Sequence, residues 1–201
     1  MNGFILAGGR STRMGSDKAL LNYAGRPLIA HAVAVLQDAG LTPHILGTRP
    51  DLAGYAPVIE DLHPGCGPLG GIEAALASSG SGWNVFLPVD LPLLPAVFLR
   101  YLLERAMITG APATIPTLGG QRQPLCAVYG RSLHAGVAAA LQAGDYKVTR
   151  VIEDAAKALH AEIDVFSVEA VAGARGDWPF DPPGHRWFQN VNTPADMALI
   201  S

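Results

Sequence analysis

Short apolar runs alternate with helical repeats through the first 110 residues, each punctuated by glycine or proline, and this alternation restricts the fold more than any other feature. Residues 2–7 are apolar and run into paired glycines, which predicts a buried first strand. Residues 8–15 are too rich in glycine and arginine for regular structure and read as a loop. A helix is expected over 27–39: Pro27 suits the first helical position, Ile29, Val33 and Leu36 recur at helical spacing, and Gly40 supplies a left-handed stop. Residues 43–47 and 57–60 read as strands, 68–79 as a helix, 83–88 as a strand and 96–107 as a helix. This spacing predicts a parallel sheet covered by helices. Such sheets take ligands in the crevice outside the carboxyl ends of their strands. Residues 8–15, 47–49, Asp61 and Asp90 all fall on that rim.

The second half is less regular. Residues 113–117 and 125–129, joined through LGGQRQP, predict two strands with a turn. Helices are expected over 132–142 and 147–159, then a strand over 162–166. Residues 173–185, GARGDWPFDPPGH, have the composition and length of a lid or binding loop. The expected fold is therefore a three-layer α/β/α sandwich with a mostly parallel, twisted sheet of about seven strands. At 201 residues the chain fits one domain, since a single core serves up to about 250 residues.

With 49% hydrophobic residues the chain can bury enough surface to offset its ordering entropy, which excludes disorder. The longest apolar stretch, 85–99, is cut by Asp90 and three prolines and is shorter than the ~20 residues a spanning helix needs. No membrane partner is expected. A net charge of −3 without a basic stripe gives no field to recruit nucleic acid. Cys66 and Cys126 are too few for a disulfide framework and form no CxxC pair. No signal-peptide pattern fits the first residues, so a reduced cytoplasmic compartment is expected. Within residues 1–37, Arg10, Arg13, Lys18 and Arg26 face Asp17 alone. That local excess points to an anionic ligand, the alternative being a solvated basic loop.

The chemistry concentrates in LAGGRSTRMGSDKALL, residues 6–21. It is neither a P-loop nor the GxGxxG of a dinucleotide site. Two glycines directly after a strand let backbone N–H groups approach a ligand with no side chain in the way. Two arginines and a lysine follow within ten residues, a set that suits a triphosphate. Asp90, in PVDLP, is a lone carboxylate just past a strand end between two stiffening prolines. There it can hold Mg²⁺ shared with a triphosphate and waters, or cap the following segment.

These motifs carry a resemblance. LAGG-R-S-x-RMG-x-DK resembles the signature loop of nucleotidyltransferases that join a nucleoside triphosphate to a phosphorylated partner. VIEDLHPGCGPLGGI, FLPVDLPLL, RQPLCAVY and FQNVNTPADM extend the likeness over nearly the whole chain. Within that superfamily the chain is most similar to the molybdenum cofactor guanylyltransferases, and LAGG rather than LAAG matches the members that use guanine.

The resemblance implies a Rossmann-like nucleotidyltransferase fold, with residues 1–110 binding the nucleotide and 111–201 the acceptor. It implies transfer of GMP from Mg²⁺-GTP to the terminal phosphate of molybdopterin, with pyrophosphate released and molybdoenzymes or cofactor-handling proteins receiving the product. Arg13, Lys18 and Asp90 would be catalytic, Asp90 as the metal ligand. Leu6, Ala7, Gly8, Gly9, Arg13, Gly15, Lys18, Gly47, Asp61 and Asp90 would contact the nucleotide, Asp61 through the guanine edge or sugar hydroxyls. Arg122, Asn190 and Asn192 would face the acceptor, with Trp178 as a stacking surface for the pterin.

Structural roles compete at several of these positions. Glu60 and Asp61 can be a surface acidic pair, residues 68–71 can supply packing glycines rather than a phosphate-facing helix start, and Asn192 or Thr193 can cap a last helix. No histidine has metal-ligand spacing, and Cys66 lacks a partner base. Rival functions are cytidylyl transfer to the same cofactor, nucleotide transfer to a sugar phosphate, and a non-catalytic protein that binds GTP and delivers cofactor.

Overall fold

The computed structural model describes residues 1–8, 17–176, 178–179, 182–191 and 196. Strand β1 (Asn2–Leu6) is followed by a small hairpin, β2 (Asn22–Tyr23) and β3 (Arg26–Pro27), then helix α1 (Leu28–Asp38). Next come β4 (Thr42–Leu46), β5 (Val58–Ile59), α2 (Pro68–Ser78), β6 (Trp83–Pro88) and α3 (Ala96–Thr109). The second half holds β7 (Ala113–Leu118), β8 (Gln121–Arg122), β9 (Ala127–Gly130), α4 (His134–Gln142), α5 (Val148–Ala158), β10 (Asp164–Ser167) and α6 (Val168–Ala174).

The main sheet runs β10-β7-β9-β6-β1-β4-β5, with β8 paired on β7. β1 lies parallel between β4 and β6, with Ile5 opposite Ile45 and Leu87. β9 is antiparallel to both of its neighbours. A parallel return needs a crossover of a dozen or more residues, and the short segment 119–126 between β7 and β9 is not long enough to make one. The three-layer, mostly parallel architecture expected from the alternation is the one observed.

Period-two alternation sends neighbouring side chains to opposite faces. Phe4, Phe86 and Tyr129 pack on one face with residues of α2, α4 and α5. Their rings form a row across β1, β6 and β9 with centroids 5.4 and 5.3 Å apart. Ile5, Val85, Leu87 and Val128 pack on the other face with α1 and α3. Full burial of each such side chain contributes about 1.5–3 kcal/mol.

The β2–β3 hairpin, β8 and α6 lie outside the sequence-based expectation. The β2–β3 hairpin turns at Ala24 (φ 47°) and Gly25 (φ 81°), both in the left-handed region that a tight two-residue hairpin turn demands. Helix α6 begins at Ser167, whose hydroxyl accepts from the Ala170 N–H at 3.1 Å. This helix takes the first residues of the stretch expected to be a loop from 173. Within that stretch Trp178 is anchored in the core. Trp178 and Trp187 both pack against Phe98, at ring separations of 5.8 and 5.6 Å. No helix among the described residues is long and apolar enough to cross a membrane.

Candidate active site

The carboxyl ends of β1, β4, β5 and β6 open on a cleft of about 480 Å³. Its walls include Leu6, Gly8, Lys18, Leu46, Asp61 and Asp90, with residues of the turn into α2 and Leu125 closing the sides. The pairing of β1 with β6 continues one step beyond the strands, where the Val89 N–H donates to the Leu6 carbonyl at 3.3 Å. That bond sets Asp90 beside the chain that leaves β1.

Lys18 sits in a short helical turn capped by Asp17, whose carboxylate accepts from the Ala19 N–H at 3.0 Å. From there its ammonium donates to Asp90 Oδ2. Asp90 is 8% exposed, and its second oxygen, Oδ1, is buried without a partner among the described residues. A buried carboxylate oxygen left unpaired costs free energy until a donor or cation reaches it. One such carboxylate has the chemistry to help hold Mg²⁺, which binds through one or two carboxylates plus phosphates and waters rather than an all-protein cage. No cluster of three or more His, Cys, Asp or Glu residues that could hold a metal ion is found among the described residues.

Asp61, just past β5, presents a second buried and unpartnered oxygen, Oδ1, among the described residues. Burial pushes its pKa above the ordinary carboxylate range. Gly71 keeps this wall open: a Cβ there would lie 3.5 Å from Asp61 Oδ1 and 3.3 Å from Leu46 Cβ. Gly70 is equally confined, 3.1 Å from the His63 carbonyl. The packing role therefore holds for both glycines. The start of α2 also borders the cleft, through Gly67 (φ 61°) and Pro68.

Gly47 ends β4 with φ 112°, and a Cβ there would press within 3.4 Å of Gly8 Cα. Close behind stands a residue that sequence reasoning placed on the rim without a role. Arg49 is buried and bonds to Ala7, Asp17 and Asp51. Those bonds, that to Asp51 foremost, raise its pKa above an ordinary arginine's, so it is cationic throughout. Its partners Ala7 and Asp17 are 42 and 32 residues away, and no local pattern announces them. Leu125 was missed for the same reason, since it reaches the cleft from the turn before β9.

The structure brings Leu6, Gly8, Lys18, Asp61 and Asp90 together, with Ala7 and Gly47 directly behind them. Gly9, Arg13, Gly15 and Asn192 lie outside the described residues. Asn190 is exposed, and the next residue, Val191, donates its N–H to the Asp90 carbonyl at 3.0 Å. Arg122 is not among the cleft's lining: it pairs with Glu153 and borders a separate hollow beside α5. Trp178 corrects an expectation. At 4% exposure, edge-on to Phe98 and Tyr101, it is a core residue and offers no face for a pterin to stack on. Cys126 is core as expected, its thiol pKa pushed up by burial.

Known proteins are similar to this chain in sequence and in fold. The family model for the MobA-like NTP transferase domain matches residues 3–162. The probable molybdenum cofactor guanylyltransferase of Deinococcus radiodurans is 36% identical over 202 residues, covering 98% of this chain and 92% of that protein. The molybdenum cofactor guanylyltransferase of Xanthomonas euvesicatoria pv. vesicatoria is 48% identical over 104 residues, about half of each chain (50% and 52%). The crystal structure of molybdopterin-guanine dinucleotide biosynthesis protein A from Archaeoglobus fulgidus superposes with a TM-score of 0.78 at 26% identity, covering 100% of this chain and 96% of that one. By sequence along most of its length and by fold, this chain belongs to the MobA-like NTP transferase family.

Proposed function

We propose that this chain transfers GMP from GTP to the terminal phosphate of molybdopterin. A phosphate oxygen of the pterin attacks the α-phosphorus, the bond from that phosphorus to the bridging β-phosphoryl oxygen breaks, and pyrophosphate leaves. The product is a molybdopterin guanine dinucleotide. The observation that carries this reading is the convergence of Gly8, Lys18, Asp61 and Asp90 from separate segments on one cleft, in a family whose relatives bear the corresponding names.

Both substrates are polyanions, so approach is the main obstacle. Two unit charges 4 Å apart interact by about 4 kcal/mol at an effective dielectric of ~20. Lys18 offsets part of that repulsion and steadies charge growing on the leaving pyrophosphate. Mg²⁺, held by Asp90 and the phosphates, would supply further charge neutralisation when bound. Arg13 joins the set through the family motif. The open space at Gly8 lets its main-chain N–H approach the phosphates, and the family motif assigns Gly9 and Gly15 to the same set.

Asp61 is suited to accept from the guanine N1–H and N2–H₂, which would satisfy its orphaned oxygen. Leu6, Ala7 and Gly47 shape the wall behind the nucleotide. The attacking phosphate is already an anion near neutral pH, so no general base is needed. Asn190, whose neighbour Val191 bonds to the Asp90 carbonyl, is an acceptor contact in this reading, and Asn192 joins it through the family motif. Arg122 would have to leave Glu153 to join them. The two free cysteines fit a reducing compartment, the cytoplasm.

The test is to incubate the protein with molybdopterin and Mg²⁺ and either GTP or CTP, following pyrophosphate. Release with GTP and little with CTP is expected. Preference for CTP would redirect the reading to cytidylyl transfer. GTP bound tightly but never cleaved would redirect it to a delivery protein.

A further inference from the structure

The functional reading above gives the buried charge of Arg49 no task. Arg49 is 3% exposed, and its guanidinium has five N–H groups. All five are engaged. Nε donates to Asp51 Oδ1 at 3.0 Å, and Nη2 donates to Asp51 Oδ2 at 2.7 Å and Asp17 Oδ2 at 2.5 Å. Nη1 donates to Asp17 Oδ1 and to the Ala7 carbonyl, each at 3.3 Å. Ala7 immediately precedes Gly8, and Asp17 caps the turn that carries Lys18. One rigid planar group thus ties the strand end bearing Gly8 to the turn bearing the ammonium that reaches Asp90.

We propose that Arg49 is a positioning residue for nucleotide transfer: it fixes the separation between the Gly8 main chain and the Lys18 ammonium, and with it the grip on the phosphates. The inference rests on the nucleotide-binding reading of the cleft. Its physical basis is the fork. Arginine projects donors in several fixed directions, whereas a lysine at this position offers three donors from a single point and cannot bridge Ala7, Asp17 and Asp51 together. Gly47, two residues earlier, adds to the same wall because no side chain separates β4 from Gly8.

The experiment compares wild type, Arg49→Lys, Asp17→Asn and the double variant. Amide hydrogen exchange is read at residues 4–8, 18–21 and 84–87 of the free protein, and Mg²⁺-GTP affinity is measured by titration. In Arg49→Lys, exchange is expected to quicken at 4–8 and 18–21 while 84–87 stays protected. Affinity for Mg²⁺-GTP should fall at least ~10-fold, since misplacing a binding group by about 1 Å can cost 10²-fold. Asp17→Asn should act in the same direction, and the double variant should be less than additive, as for partners in one network. Uniformly faster exchange including 84–87 would make Arg49 a global stabiliser and overturn the proposal. So would affinity within twofold of wild type. If Arg49→Lys does not fold, Asp17→Asn decides alone, and wild-type affinity in it overturns the idea. A wild-type protein that binds no Mg²⁺-GTP would instead sink the functional reading, while the exchange comparison would still decide whether Arg49 sets these two segments.

Discussion

Lys18 and Asp90, 72 residues apart in the chain, meet as an ion pair inside the cleft, the lysine ammonium on one carboxylate oxygen while the other oxygen is buried and has no partner among the described residues. The lysine thus shares the carboxylate that the proposed mechanism gives to the metal. The nucleotide's phosphates are the natural alternative partner for the ammonium, which would release Asp90 as they arrive. Lys18→Ala and Asp90→Ala are each expected to cut pyrophosphate release by at least ~10²-fold, the size of one lost transition-state contact. Asp90→Asn should in addition require more Mg²⁺ for half-maximal rate. Near-normal turnover in either alanine variant would remove that residue from the mechanism.

Asp61 gives a pH signature. Burial raises its pKa in the folded protein above the unfolded value, so below the ordinary carboxylate range both states are protonated and no penalty applies. As pH rises through the raised folded pKa, the folded state must either bury a charge or retain a proton that the unfolded chain has lost, and stability falls. Asp61→Asn, neutral throughout, should therefore melt higher than wild type at pH 7, with the gain shrinking as pH drops toward 4. The same variant should bind GTP more weakly. Equal melting temperatures at pH 7, or a pH-independent difference, would contradict this account of the site.

Gly47→Ala places backbone strain beside Gly8. The backbone stands at φ 112°, and the added methyl would lie 3.4 Å from Gly8 Cα. Holding a side chain in such a region costs of order 1–3 kcal/mol. Chemical denaturation should show that loss, and KM for GTP should rise because relief of the strain shifts the backbone that packs on Gly8. Unchanged KM in a folded variant would separate Gly47 from the nucleotide.

Trp178→Ala is expected to act on stability alone. The indole is edge-on to Phe98 and Tyr101 with Trp187 5.3 Å away, and Arg175 lies over its ring. Truncating a buried aromatic typically costs about 3–5 kcal/mol. Urea unfolding should register it, while kinetic constants for the pterin, corrected for folded fraction, should match wild type. A specific loss of pterin affinity would return Trp178 to the site.

Much of this protein is legible one segment at a time. The strand 83–88 and the helices 27–39, 68–79 and 96–107 are readable because apolar period, proline at a helix start and glycine at its end all act within a few residues. Asp61 and Asp90 are readable as rim residues, since each directly follows a strand in an alternating α/β pattern. The rest depends on who meets whom. Nothing near Arg49 in the chain shows that its partners are Ala7 and Asp17, nor near Trp178 that α3 buries it, nor near Leu125 that its turn folds over the cleft. Local pattern determined the elements and the rim they create. Which distant groups share that rim, and which become core, was decided only when the sheet order brought separate segments within bonding distance, because hydrogen bonds and packing act over a few ångströms of space whatever their separation along the chain.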